Sequence, residues 1–332
     1  MKYSKLILKV FVVFISLLAA GSISSGQTLD DFREAYNNGV NAQQANNLEE
    51  AIGNFNKCID IYSQLGTADS LEAEEILFII ESNMPALYYK VAMELYNEKN
   101  LDGAIEKFEE TVKVADKYND PDLSAKASKI VPQLYYMRAG NKYNSNDFEG
   151  ALADYDKAIE LDPGYDKAYY MKSLIYKKQE NEEAFLESTR KAIEFGEKAN
   201  NESVVKNAKE SAGKYFLIKG NEAKEAEKYE DAKKYIGLAL EFNNEDPVAY
   251  YILASVNNLT GDYDKAIESA KSALAYEADD PVKKARIYYE LANALEEKGE
   301  NEKACDAYKK ASYGAYKEAA EYQIKHVLNC EQ

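Results

Sequence analysis

The sequence predicts an all-α chain, an α-solenoid of about seven antiparallel helix pairs closed by a C-terminal capping helix. Three observations carry that expectation. Tyr250, Leu253, Ala254, Gly261, Ala266 and Ala273 recur 38 residues later as Tyr288, Leu291, Ala292, Gly299, Ala304 and Ala311, and self-similarity at a fixed period marks a repeat array. Ala, Glu, Lys, Leu and Tyr dominate the composition, and most of these are strong helix formers. With 16 Gly and 6 Pro among 332 residues, the chain is too poor in both for a β-rich or disordered protein. From Asp30 onward apolar residues recur at helical spacing, with no strand-like alternation.

The repeated small residues have a steric meaning. Two antiparallel helices approach closely only where one presents a small side chain to the other. Ala254 and Ala266 are placed for that within one pair and Ala292 and Ala304 within the next. Ala273 and Ala311 then admit the neighbouring pair.

Residues 1–26 read as a signal peptide outside the fold. Lys2, Lys5 and Lys9 make a basic start, Val10–Ala20 is an apolar run broken only by Ser16, and Ser22–Gly26 is small and polar, the three-part layout of an export signal. Ser24 and Gly26 place cleavage before Gln27, with Ala20 as the alternative. The competing reading is a membrane anchor, but the run falls short of the roughly 20 residues that span a bilayer. Ser22 stands where a lipoprotein signal would need Cys, so no lipid anchor is expected. Cleavage would move the formal charge from −17 to −20. The expected location is periplasmic or secreted, beyond a bacterial inner membrane, with no stable membrane insertion of the mature domain at 27–332.

The first pair, near 30–64, has Gly39 at the small slot of its first helix, Asn46-Asn47 at the turn, then Ala51, Phe55 and Cys58. A separate apolar stretch, Leu71–Ser82, precedes the second pair, near 85–117, which opens at Pro85. In that pair Tyr88, Ala92 and Leu95 are answered by Ala104 and Phe108. Asn119-Asp120-Pro121 then breaks the chain. The third pair, near 132–163, carries Tyr136, Gly140, Tyr143, Ala151, Tyr155 and Ala158, with a turn, Ser145–Asp147, that reads as one residue tighter than in the later repeats. The fourth, near 165–199, is degenerate: Ser173, Tyr176 and Ala184 fit and Ala192 stands one place late. A further helix, about 203–214, leads into the fifth pair near 213–244, where Gly220, Ala223, Tyr229, Ala232 and Ala239 restore the pattern. Pairs near 247–278 and 285–313 hold the 38-residue repeat, and a helix over 315–328 reads as the cap.

On these residues the chain resembles the tetratricopeptide repeat (TPR) family, whose consensus runs W-x2-L-G-x2-Y, A-x3-F, then Ala and a closing Pro at a 34-residue period. The sequence has no Trp, so Tyr136, Tyr250 and Tyr288 take the aromatic slot, and several connections exceed the family period. The resemblance implies a right-handed superhelix and a protein that works by presenting a groove rather than by doing chemistry. Some members hold a C-terminal carboxylate with a convergent Lys-Asn-Asn-Lys-Arg set. Arg286 and Lys214 stand on first helices here, but that set is missing and the activity is not carried over.

Charge and chemistry narrow the field further. A net charge of −17 opposes nucleic-acid binding, which needs a Lys/Arg field. His326 is the sole histidine, so neither a His-based triad nor a zinc site is indicated. No phosphate loop or EF-hand spacing occurs. The chain is therefore read as non-enzymatic, with no cofactor and no metal. Of three cysteines in an exported chain, Cys305 and Cys330 are expected to pair, because antiparallel final helices bring the tail back toward Cys305. Cys58 fills an alanine slot and reads as a packed, inert thiol.

Binding remains. First helices of stacked pairs line the concave face of a solenoid. Positions one place after the buried aromatic, and four beyond, select Tyr89 and Met93, Met137 and Asn141, Tyr170 and Leu174, Leu217 and Asn221, Tyr251 and Ser255, Tyr289 and Asn293. Tyr or Met beside Asn or Ser supplies contact area and backbone hydrogen bonding. With 28 tyrosines, many must be core residues instead. The favoured reading is a scaffold or adaptor for a protein or peptide partner in the bacterial envelope. The alternative is a glycan or peptidoglycan-fragment binder that stacks sugars on the tyrosines.

Overall fold

The computed structural model describes residues 28–330; the expected signal peptide lies outside them. Among the described residues there are helices and turns and no strand. The chain divides into two units, one ending at Ile130 and the other beginning at Val131.

The first unit holds α1 (Leu29–Gln44), α2 (Leu48–Tyr62), α3 (Thr67–Asn97), α4 (Leu101–Lys117) and the start of α5 (Pro121–Asn144). The stretch read as a separate helix before Pro85 is continuous with the helix that follows. Pro85 lies buried inside α3, where its missing N–H and ring would normally break the ladder. Ser82 donates to the carbonyl of Phe78 and Asn83 to that of Ile79, both at 2.7 Å, but the carbonyl that Pro85 leaves is that of Glu81. It is the shared burial of Ile80, Met84, Leu87 and Val91 that carries the helix through.

The second unit holds the rest of α5, then α6 (Phe148–Leu161), α7 (Asp166–Lys178), α8 (Glu182–Lys198), α9 (Glu202–Glu225), α10 (Tyr229–Phe242), α11 (Pro247–Leu259), α12 (Tyr263–Tyr276), α13 (Pro281–Glu297) and α14 (Asn301–Ala311). Here too the extra helix expected over 203–214 is simply the first half of α9. Asp246 and Asp280 cap α11 and α13 ahead of a proline at the first helical position, where the missing N–H costs nothing.

Seven pairs, α1/α2 to α13/α14, share one register. A small residue on the first helix is followed twelve residues later by a buried slot on the second, and then by buried positions four and three further on. The sets are Gly39/Ala51/Phe55/Cys58, Ala92/Ala104/Phe108/Thr111, Ala139/Ala151/Tyr155/Ala158, Ser173/Phe185/Thr189/Ala192, Gly220/Ala232/Ile236/Ala239, Ala254/Ala266/Ala270/Ala273 and Ala292/Ala304/Tyr308/Ala311, all buried. This corrects two readings. The small slot of the third pair is Ala139, not Gly140, where an added Cβ would meet nothing within 4 Å; its turn is no tighter than the others. The fourth pair is in register once Phe185 rather than Ala184 takes the first slot, and Ala192 is then in place. Gly39 and Gly220 are required by close approach, since a Cβ would lie 2.6 Å from the Phe55 ring and 2.5 Å from Ile236 Cδ1.

Every turn within a pair has the same construction. Asn46, Lys99, Asn146, Glu180, Glu227, Gly261 and Gly299 adopt φ between +55° and +76°. The N–H of the next residue reaches back to a first-helix carbonyl at 2.8–3.0 Å, for example Asn181 to Tyr176 and Lys228 to Ala223. This is the Schellman closure, which satisfies carbonyls the helix end would otherwise orphan.

The cap is not one helix over 315–328. It is a 3₁₀ turn (Gly314–Tyr316), a short α15 (Lys317–Tyr322) and a π turn (Gln323–Val327). The wider π turn shifts the phase, so that Ala320 and Ile324 both bury against the α13/α14 core and the chain doubles back. The Cys330 N–H donates to the Ile324 carbonyl at 3.0 Å. Cys330 is joined to Cys305 on α14 by a disulfide with a Cα–Cα distance of 5.7 Å.

Candidate groove on the first helices

In the second unit, first helices α9, α11 and α13 frame a cleft of about 480 Å³. Leu217, Ile218, Asn221 and Glu222 reach it from α9, Val248, Tyr251 and Ile252 from α11, and Arg286 from α13. The helical period puts residues three and four apart on one face, which is why Leu217 and Asn221 arrive together, as do Val248 and Tyr251. Ile218 is 58% exposed, a large aliphatic side chain held open to solvent.

Tyr251 is the hinge of the arrangement. Its hydroxyl meets that of Tyr316 in the cap at 3.4 Å, and the Arg286 guanidinium lies 4.6 Å from its ring centroid. Burial, then the Tyr316 contact, pushes the Tyr251 hydroxyl well above the usual phenol range, so it stays protonated and neutral. Tyr289 adjoins this cluster, with its ring centroid 5.3 Å from that of Tyr316 and 5.6 Å from that of Tyr308. Asn221 donates to Glu225 at 2.7 Å. Glu290, one turn beyond Arg286, accepts from Asn258 at 2.8 Å.

The residues selected from sequence thus fall into distinct settings. Leu217, Asn221 and Tyr251 line the cleft, and Tyr289 stands beside it through Tyr316. Asn293 is occupied, accepting from the Tyr308 hydroxyl at 2.8 Å. Ser255 is a correction: it is buried, because it follows Ala254 into the packed interior of α11. Met137 and Asn141 on α5 are exposed and Tyr170 on α7 is half-buried, and none of these lines the cleft. Tyr89 and Met93 belong to the first unit and are half-buried. There the Tyr89 ring stands edge-on to Phe108 at 5.5 Å, with Lys126 Nζ 4.3 Å from its centroid.

Sequence reasoning missed Ile218 and Tyr316, and set Arg286 aside. Ile218 carries no periodic signal, since it lies off the buried stripe. Tyr316 meets Tyr251 from the 3₁₀ turn that opens the cap, a contact that no local pattern announces.

Chemistry elsewhere is sparse. Cys58 is fully buried and burial pushes its thiol up to about 12, the state of a packed side chain rather than a nucleophile. His326 is exposed, its ring 5.1 Å from that of Tyr322. Among the described residues, no group of His, Cys, Asp or Glu is placed to hold a metal ion. No described helix is long and apolar enough to cross a membrane.

Comparison with known proteins agrees with this repeat architecture. Family models described as Tetratricopeptide repeat match residues 132–165 and 166–195, and residues 219–282 and 260–320. Helix pairs with buried small slots, closed by uniform turns, define a helical-repeat protein. The chain belongs to the tetratricopeptide repeat family. No curated protein matches it. Among solved structures it is similar to YrrB, a TPR protein with an unusual peptide-binding site, at 25% identity over 59% of this chain and 88% of that one, with a TM-score of 0.31. It is also similar to PilW, a type IV pilus biogenesis factor, at 18% identity over 61% and 88%, with a TM-score of 0.31. A tetratricopeptide repeat protein from Parabacteroides merdae aligns at 16% identity over 89% and 98%, with a TM-score of 0.27.

Proposed function

We propose that the protein is a non-enzymatic scaffold of the bacterial envelope that binds a protein or peptide through the cleft on α9, α11 and α13. The observation that carries this reading is Ile218, an exposed aliphatic residue at the rim of an apolar-walled cleft beside a half-buried tyrosine. A peptide contributes both side chains for such walls and backbone groups for amides such as Asn221. The glycan alternative is weaker, because sugars need free ring faces. Arg286 lies over the Tyr251 ring, and Tyr289 is packed against Tyr308 and Tyr316. Export rests on residues 1–26, whose layout matches a cleaved signal.

The test is affinity capture by the chain from Gln27 to Gln332 in an envelope fraction of the source cell, with Ile218→Asp as the paired control. The scaffold reading expects a reproducible partner that Ile218→Asp loses while its melting temperature holds. Equal capture by both proteins would place binding elsewhere. The mass of the protein recovered from cells reports export, and an uncleaved N-terminus would overturn that part.

A further inference from the structure

The chain has four arginines and a net charge of −17, so each should find an acidic neighbour easily. Three do. Arg33 pairs with Asp30 and Glu72, Arg138 with Asp154, and Arg190 with Glu241. Among the described residues Arg286 makes no ion pair, and its Nε is buried with no hydrogen-bond partner. Two carboxylates are near. Glu222 lines the same cleft without pairing, and Glu290 is held by Asn258.

An unpaired guanidinium edge in an apolar setting is costly, and the same setting strengthens any carboxylate that reaches it. The guanidinium carbon is held over the Tyr251 ring at 4.6 Å from its centroid, and the guanidinium fork suits two parallel N–H···O bonds to one carboxylate. The surroundings are apolar on either hand. Ile218, Val248 and Ile252 extend across α9 and α11, and the Tyr289–Tyr316 ring pair adjoins Tyr251.

We propose that Arg286 receives the side-chain carboxylate of an internal Asp or Glu in a bound peptide, with apolar residues on both sides of that acid. The aliphatic wall takes the residues on one side and the Tyr289–Tyr316 pair those on the other. A chain terminus would leave one of these surfaces unused. The site is one arginine on one tyrosine, unlike the multi-residue grip on a C-terminal carboxylate absent from this sequence. This inference rests on the cleft being the binding groove.

The experiment uses the chain from Gln27 to Gln332 and three libraries of eight-residue peptides with randomised apolar positions. The first is blocked at both ends with a central Glu, and the second is identical with Gln. The third has a free C-terminal carboxylate and no acidic side chain. Dissociation constants of the strongest binders are measured for wild type, Arg286→Gln and Arg286→Lys, with melting temperatures as the folding check. Glu peptides are expected to bind at least about tenfold more tightly than their Gln partners. That ratio should collapse to near one in Arg286→Gln and shrink in Arg286→Lys, which keeps the charge and loses the fork and serves alone if the Gln variant misfolds. Equal affinity for Glu and Gln, a ratio indifferent to Arg286, or preference for the free-carboxylate library would each overturn the proposal. If no library binds while capture of an envelope partner still depends on Ile218, this inference fails and the scaffold reading stands. If that capture is also independent of Ile218, the groove itself is wrong.

Discussion

Tyr155 and Tyr308 occupy the same slot of their second helices and are both fully buried, yet their hydroxyls meet opposite environments. Tyr308 donates toward Asn293 at 2.8 Å and Glu296 at 2.6 Å, whereas the Tyr155 hydroxyl is buried with no partner. A buried hydroxyl without a hydrogen bond costs about 1–3 kcal/mol, and a bond to a charged acceptor contributes about 1.5–3 kcal/mol. Tyr155→Phe should therefore stabilise by about 1 kcal/mol and Tyr308→Phe destabilise by about 2 kcal/mol, opposite shifts readable in urea unfolding. Beside Tyr155, Asp154 is buried and held by Arg138 and Lys142, both at 2.8 Å. Burial pushes its carboxyl up, but the hydrogen bonds from Arg138 and Lys142 outweigh that and hold it below the usual range. Its contribution is thus present above the unfolded value of about 4 and is lost as pH falls through the lower folded value. Asp154→Asn should cost about 1.5–3 kcal/mol at neutral pH by removing the charge from its hydrogen bonds with Arg138 and Lys142, and should lack part of the wild type's acid-induced loss of stability.

At the scale of elements, the turn within each pair sets the geometry more than the helices do. All seven place one residue in the left-handed region, yet only Gly261 and Gly299 are glycine. A side chain there costs roughly 1–2 kcal/mol, while glycine costs roughly 0.5–1 kcal/mol in unfolded-chain entropy. Glu180→Gly and Glu227→Gly should each raise stability by about 0.5–1 kcal/mol, additively for separate turns, as a calorimetric melting series would record. The same turns mark what could be read from sequence. Gly261 and Gly299 announced theirs, and Asn46 lay within an expected one, because Gly and Asn favour positive φ. Lys99, Glu180 and Glu227 have no such preference; the Schellman closure imposes their conformation. The fourth pair looked degenerate for a related reason, since Phe185 and Thr189 fill slots where small or aromatic residues were sought. Pro85 reads as a boundary, and the buried stripe Ile80, Met84, Leu87 and Val91 carries the helix through it. Three of the eight residues lining the cleft were legible, Leu217, Asn221 and Tyr251, because those positions follow helical phase. Arg286 and Tyr316 depend on which neighbour arrives, and that is decided between elements.

At the scale of the whole molecule, stability in a repeat protein sums over neighbouring pairs and terminal pairs are the first to open. The second unit guards one of its ends covalently. Loop closure over the 25-residue separation of Cys305 and Cys330 predicts a contribution of about 3 kcal/mol. Cys330→Ser, or reduction of the wild type, should lower unfolding stability by about that amount in denaturant. Hydrogen exchange should then rise first in α13 to α15, whose core includes Ala320 and Ile324.

The same bond makes the protein's redox state measurable as a length. Stretched end to end in an optical trap, an oxidised molecule keeps the loop between residues 305 and 330 out of the extending chain. A reduced molecule releases that slack, a gain in contour of roughly 80–90 Å at the ~3.3–3.6 Å each extended residue supplies.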